Sequence, residues 1–155
     1  MNNRFLVLFA SAIGFLISAN TWSAEDQERA QAAIDTRQGL LKVVGHYIGP
    51  MVGMARGQID YDADLVSANA QKIGQLTAMI PDLFKMNTSQ SGIASDSLEG
   101  IWDNTEDFVS KAEIANQRAF DLAEAAKDGK GAFMKAFGAA GGACKSCHDD
   151  YRQKQ

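Results

Sequence analysis

Apolar residues recur along most of the chain in steps of three, four and seven, the spacing that places them on one face of an α-helix. In the first such stretch, residues 27–56, this spacing joins Ile34, Leu41, Val44 and Ile48. Three further stretches show it, at residues 60–80, 98–127 and 130–152. The pattern predicts an all-α fold, an antiparallel four-helix bundle.

Proline and polar residues mark the ends of these predicted helices. Pro50 lacks an amide proton and disfavours helical geometry at the preceding residue, so the first helix should kink or loosen in its last turn. The second helix should begin with Asp60 or Asp62 as its N-cap and should end at Pro81. Residues 85–97 are rich in Ser, Asn and Gly without an apolar period, which predicts an exposed loop.

The first 23 residues differ from the rest of the chain. Arg4 is followed by an uncharged, apolar run of 13 residues from Phe5 to Ile17, which is typical of a secretory signal peptide. A membrane-spanning helix would need about 20 residues. We therefore expect residues 1–23 to be cleaved after Ser23, and residues 24–155 to form one exported domain, in a bacterial periplasm and not in a membrane.

The charge of the chain narrows the choice of partners. The net charge is −4, and removal of the signal peptide takes away only one charged side chain, Arg4, which leaves −5. No basic stripe is present. Nucleic acid and anionic membranes are therefore poor partner candidates, since both need clustered Lys and Arg. A redox partner protein with a basic patch is compatible with this charge.

The chemistry of the chain is concentrated near its end. Cys144 and Cys147 are separated by two residues, and His148 follows at once. This is the pattern to which c-type haem is attached. Cysteines three apart on a helix lie on one side of it, so their sulfurs can form thioethers to the two vinyl groups of a porphyrin. The motif predicts one covalently bound haem c on the last helix, with His148 as an axial ligand of the iron.

Two other interpretations of the motif are weaker. A disulfide or thioredoxin-like redox pair is permitted by an exported compartment, but such motifs accompany a βαβ pattern that this chain lacks. A closed zinc site needs four ligands. Outside the motif the only histidine is His46 and there is no other cysteine, so the usual zinc donors are missing.

The position of the motif excludes the common small cytochrome c fold, which carries its attachment site near the N-terminus and a methionine ligand far downstream. Only seven residues follow His148, and none is a methionine. The chain instead resembles cytochrome c′ and its relatives, the class II c-type cytochromes, which are four-helix bundles with the haem on the last helix. The resemblance covers the mature chain and rests on Cys-Lys-Ser-Cys-His-Asp-Asp-Tyr-Arg at 144–152, Arg-Gln-Gly-Leu-Leu at 37–41, Ile101-Trp102 and Phe108.

This resemblance implies roles for three more residues. Leu41 occupies the family position that faces the sixth coordination site of the iron, and leucine cannot coordinate a metal. The resemblance therefore implies a five-coordinate, mostly high-spin haem under an apolar lid without hydrogen-bond donors. Arg37 matches the position whose side chain reaches a haem propionate, or else is a surface cation. Arg152 matches a position near the proximal side of the ring, or else is a solvated arginine that favours the helix dipole.

The function implied is that of a haem protein, not an enzyme, that binds the neutral diatomic gases NO and CO and can transfer electrons, and the family commonly forms homodimers. The alternative is a low-spin electron carrier with a methionine ligand, for which Met51 and Met54 are the best candidates. His46 lies about 140° from Leu41 around the helix, so we expect it not to bind the iron.

Overall fold

The computed structural model of the protein describes residues 22–154. Four long helices form the bundle, and two short ones precede α5. The helices are α1 (Ala24–Ala55), α2 (Ala63–Thr77), α3 (Ile80–Leu83), α4 (Gly100–Asp103), α5 (Thr105–Ala125) and α6 (Lys130–Tyr151). This confirms the predicted all-α fold. None of the helices in the described residues is long and apolar enough to span a membrane.

The predicted signal peptide, residues 1–23, lies outside the described residues except for Trp22 and Ser23. Ser23 is the N-cap of α1, and its hydroxyl accepts a hydrogen bond from the amide of Asp26 at 3.1 Å. The helix therefore begins at Ala24, three residues before the predicted boundary.

One expectation about proline needs revision. Pro50 lies inside α1, which continues to Ala55, and the expected kink stays a prediction. Pro81 does not end the second helix, because α2 already stops at Thr77 and Pro81 lies in the first turn of α3. Proline loses no hydrogen bond at this position, because the first amides of a helix have no acceptor within the helix. The N-cap of α2 is Asp62, one of the two predicted candidates.

The predicted third helix is broken in two. Asn104, with φ −132° and ψ 58°, separates α4 from α5, and a 3₁₀ turn at Ala126–Asp128 follows α5. The loop predicted at 85–97 is present but is only partly exposed, because Thr88 and Ser91 are buried. The Ser91 hydroxyl donates to the Thr88 carbonyl oxygen at 2.8 Å.

The core consists of two clusters at different levels of the bundle. The larger one joins α1, α2, α5 and α6 and contains Met51, Met54, Val66 and Phe133. The smaller, aromatic one contains Ile101, Phe108 and Tyr151, with Phe84, Trp102 and Cys147 packed against it. Burial of apolar side chains stabilises the folded state by about 25 cal/mol for each Å² of apolar surface removed from water. Helices α5 and α6 pass through both clusters and position the site between them.

Candidate haem site

A cavity of about 610 Å³ lies between α1, α5 and the C-terminal half of α6, a size typical of cofactor sites. Its wall includes members of both core clusters, among them Val44 and Phe108. The six residues predicted for the site all line it, namely Arg37, Leu41, Cys144, Cys147, His148 and Arg152. The bundle therefore brings together residues from the two ends of the described chain.

Helix α6 places the two cysteines on the cavity wall. Both thiols are half-buried and neither forms a disulfide. Burial raises the pKa of Cys144, and it raises the pKa of Cys147 to about 11 against the opposing positive charge of Lys111. Both thiols are therefore neutral at pH 7.

His148 follows on the same helix and also lines the cavity. The surrounding protein partly shields the imidazole from water, which lowers the pKa of His148, and the charge of Arg152 lowers it further, while Asp149 acts in the opposite direction. The ring is thus neutral at pH 7, the form in which an imidazole nitrogen can bind a metal.

Leu41 lies on the cavity wall contributed by α1, as expected, but it is not packed in either core cluster. Its side chain is 41% exposed, whereas Ile34 and Val44 on the same stripe are 2% and 8% exposed. Leu41 therefore faces the cavity and does not pack into a core cluster. Its position on the wall agrees with that of a lid over the cavity.

Arg37 is buried, so the alternative of a surface cation is wrong. Its guanidinium donates three hydrogen bonds, to the carbonyl oxygens of Leu83 at 2.8 Å and Met86 at 2.6 Å and to the Thr88 hydroxyl at 2.8 Å. It also lies 4.6 Å from the ring centre of Phe84. Three of the five guanidinium donors thus hold the segment after α3, and contact with a propionate stays a prediction.

Arg152 lies directly beyond the end of α6, with an extended backbone at φ −119° and ψ 136°. Its guanidinium forms an ion pair with Asp96 at 3.5 Å. The amide of Gln153 donates to the Asp96 carbonyl oxygen at 2.8 Å, and that of Leu98 donates to the Tyr151 carbonyl oxygen at 3.0 Å. These bonds hold Arg152 on the cavity wall.

The family model described as Cytochrome C′ matches residues 32–152. The chain belongs to the cytochrome c′ family. Membership implies a covalently attached haem c, and the two cysteines, the neutral imidazole and the size of the cavity fit that group.

Individual members of the cytochrome c′ family cover most of the chain. Cytochrome c′ of Halomonas halodenitrificans is 38% identical over 77% of this chain and 95% of its own length. The structure of cytochrome c′ from Rhodobacter Spheriodes superposes with a TM-score of 0.75 at 32% identity, over 81% of this chain and 98% of the other. A nitric oxide complex of a mutant of cytochrome c prime from Alcaligenes xylosoxidans has a TM-score of 0.71 at 29% identity, over 81% and 97%.

Some residues on the wall of this cytochrome c′ cavity were missed from sequence. Gln38 and Lys42, three before and one after Leu41, also line it. Lys111 lines it from α5, three residues after Phe108. This spacing puts Lys111 on the face of Phe108 and was a usable signal.

The alternative iron ligands lie elsewhere. Met51 and Met54 are 0% and 1% exposed in the larger core cluster, and no methionine among the described residues lines the cavity. His46 is exposed, does not line the cavity, and its ring lies 5.2 Å from that of Tyr47. The expectation that His46 lies away from the site is confirmed.

Proposed function

We propose that this chain is a periplasmic c-type haem protein with a five-coordinate, mostly high-spin iron. It binds NO and CO at the open coordination site and can pass electrons to a partner protein. The observation that carries the proposal is the cavity wall around Leu41. Leu41 lines the cavity and occupies the position that, by family resemblance, faces the sixth coordination site, and no methionine of the described residues lines the cavity.

The residues of α6 would hold one haem c. The sulfurs of Cys144 and Cys147 would form the two thioethers, and His148 would provide the axial nitrogen from the same helix. The haem supplies, when bound, an iron that coordinates small gases. Leu41 would restrict the open side of the site, so that a ligand enters only by displacing the leucine side chain, which favours small and strongly binding molecules.

Gas binding by relatives supports this assignment. The Alcaligenes xylosoxidans protein has structures with nitric oxide and with carbon monoxide bound. Helix α1 contributes no histidine or carboxylate to the cavity. We therefore propose a binding and transfer role without enzymatic turnover, since peroxide chemistry depends on an acid–base residue at the open face.

The alternative function is a low-spin electron carrier with a methionine ligand. It would require Met51 or Met54 to leave the larger core cluster, and each lies completely buried there. Emptying such a position costs about 2–5 kcal/mol. A homodimer is part of our proposal by family resemblance, and sedimentation of the haem-loaded protein would test it.

The absorption spectrum of the reduced protein, with and without CO or NO, tests the proposal. A five-coordinate iron gives a spectrum that changes on addition of either gas. A sharp α band that CO leaves unchanged would contradict the five-coordinate assignment and would favour the methionine-ligated alternative.

Leu41→Ala tests the lid. Displacing part of a leucine side chain from apolar contact costs about 1.4 kcal/mol, so we expect its removal to raise the CO association rate about tenfold. Val43→Ala is a matched control, because Val43 is on the same helix, is 43% exposed and does not line the cavity. An association rate equal to that of the control would show that Leu41 is not the lid.

A further inference from the structure

A group of charged side chains lies beside the predicted haem-attachment residues, between α5 and α6. The ammonium of Lys111 lies 2.7 Å from the carboxylate of Asp107, one turn earlier, and 2.7 Å from that of Asp150 on α6. The Tyr151 hydroxyl donates to the same Asp107 oxygen at 2.5 Å. These four residues form what we call the α5–α6 charge cluster.

Lys111 is more shielded than the lysines of the surface ion pairs. Its side chain is 19% exposed, against 62% for Lys127 in the pair with Glu124. Lys111 and Tyr151 line the cavity together with Cys147, and the ammonium lies 5.6 Å from the centre of the Tyr151 ring. Salt and water therefore screen the charge of Lys111 less than that of an exposed lysine.

The cluster carries a net negative charge that reaches the site. The single ammonium of Lys111 is paired with two carboxylates, and these bonds hold the pKa of Asp107 below and that of Lys111 above their usual values. Lys111 and Tyr151 line the same cavity as Cys147, and Asp150 lies three residues after Cys147 on α6. The charges therefore lie beside a residue that we propose to be bonded to the haem.

We propose that Lys111 is a positioning residue that sets the reduction potential of the haem, by holding a positive charge at the cavity wall and tying the last turn of α6 to α5. This rests on the proposed haem site. A nearby positive charge favours the ferrous iron over the more positive ferric iron, and a carboxylate does the reverse. The potential therefore depends on how Lys111 balances Asp107 and Asp150.

Spectroelectrochemical titration of the haem-loaded full chain at pH 7 tests the proposal. We expect Lys111→Met to shift the midpoint potential down and Asp150→Asn to shift it up, although both break the same ion pair. Lys111→Arg should restore the wild-type value. Lys127→Met makes the same change of charge at a residue that does not line the cavity, and should leave the potential unchanged.

Shifts of the same sign in Lys111→Met and Asp150→Asn would overturn the proposal, because a purely structural contact is lost in both. Unchanged potentials would overturn it as well. If Lys111→Met does not fold, the other two variants test the proposal: Asp150→Asn should raise the midpoint potential, and Lys111→Arg should leave it at the wild-type value. CO binding by the wild type separates this inference from the proposed function. Opposite shifts of the midpoint potential without CO binding would contradict only the proposed gas binding. CO binding without these shifts would contradict only the role of Lys111.

Discussion

Replacing Arg37 by methionine removes a buried side chain that connects α1 to the segment after α3. Three hydrogen bonds are lost, to Leu83, Met86 and Thr88. Hydrogen bonds from a charged donor contribute about 1.5–3 kcal/mol each. Burial of the guanidinium opposes this stabilisation, as the lowered pKa of Arg37 shows, and methionine avoids that cost. We therefore expect a net loss of about 2–4 kcal/mol, a large part of a typical stability of about 5–15 kcal/mol.

Urea unfolding of the haem-loaded protein, followed by circular dichroism, measures this loss. Arg118→Met is the matched control, since Arg118 is half-exposed in an i,i+3 ion pair with Asp121 and such pairs contribute about 0–1 kcal/mol. Thr88→Val removes one acceptor of Arg37 and should cost about 1 kcal/mol. Because the acceptors of Arg37 are neutral, added salt should hardly change the loss of stability that Arg37→Met causes. An Arg37 variant as stable as the Arg118 variant would refute the reasoning.

Two further predictions concern single contacts. Asp62→Ala should lower the free energy of unfolding by about 1 kcal/mol, because its carboxylate accepts from the Leu65 amide at 2.9 Å; equal losses in Asp62→Ala and Asp60→Ala on urea unfolding would contradict this. Burial and the bond to Asp107 raise the pKa of Tyr151 to about 12, whereas the pKa of an unfolded tyrosine is about 10. The neutral hydroxyl therefore stabilises the fold fully below about pH 10, and this stabilisation is lost as the pH rises to about 12. Asp107→Asn should lower the pKa of Tyr151 in an ultraviolet titration, and an unchanged value would count against that bond.

The helical periodicity predicted the bundle and its long helices because most of their apolar residues are buried by helix-on-helix packing. The break at Asn104 was not predictable, since the apolar spacing continues from Ile101 across it to Phe108. Pro81 was misassigned because proline is tolerated both after a helix and in its first turn.

The site was predictable where covalent chemistry fixes the spacing, as at Cys144, Cys147 and His148. The contacts of Arg37 were not, because its acceptors are the backbone carbonyl at the end of α3 and a carbonyl and a hydroxyl in the following loop, which has no periodicity. The cluster around Lys111 depends on the packing of α5 against α6. Half of it, the spacing of Asp107 and Lys111, is visible in the sequence.

The division of the core into two clusters bears on the order in which the chain can mature. Helix α6 contributes Phe133 to the larger cluster and Cys147 and Tyr151 to the smaller one. Regions with separate sets of contacts can open independently, so the motif-bearing end of α6 can loosen while the Phe133 end stays folded. Attachment of a haem to Cys147 would then join this end of α6 to the cofactor and hold the final turn in place.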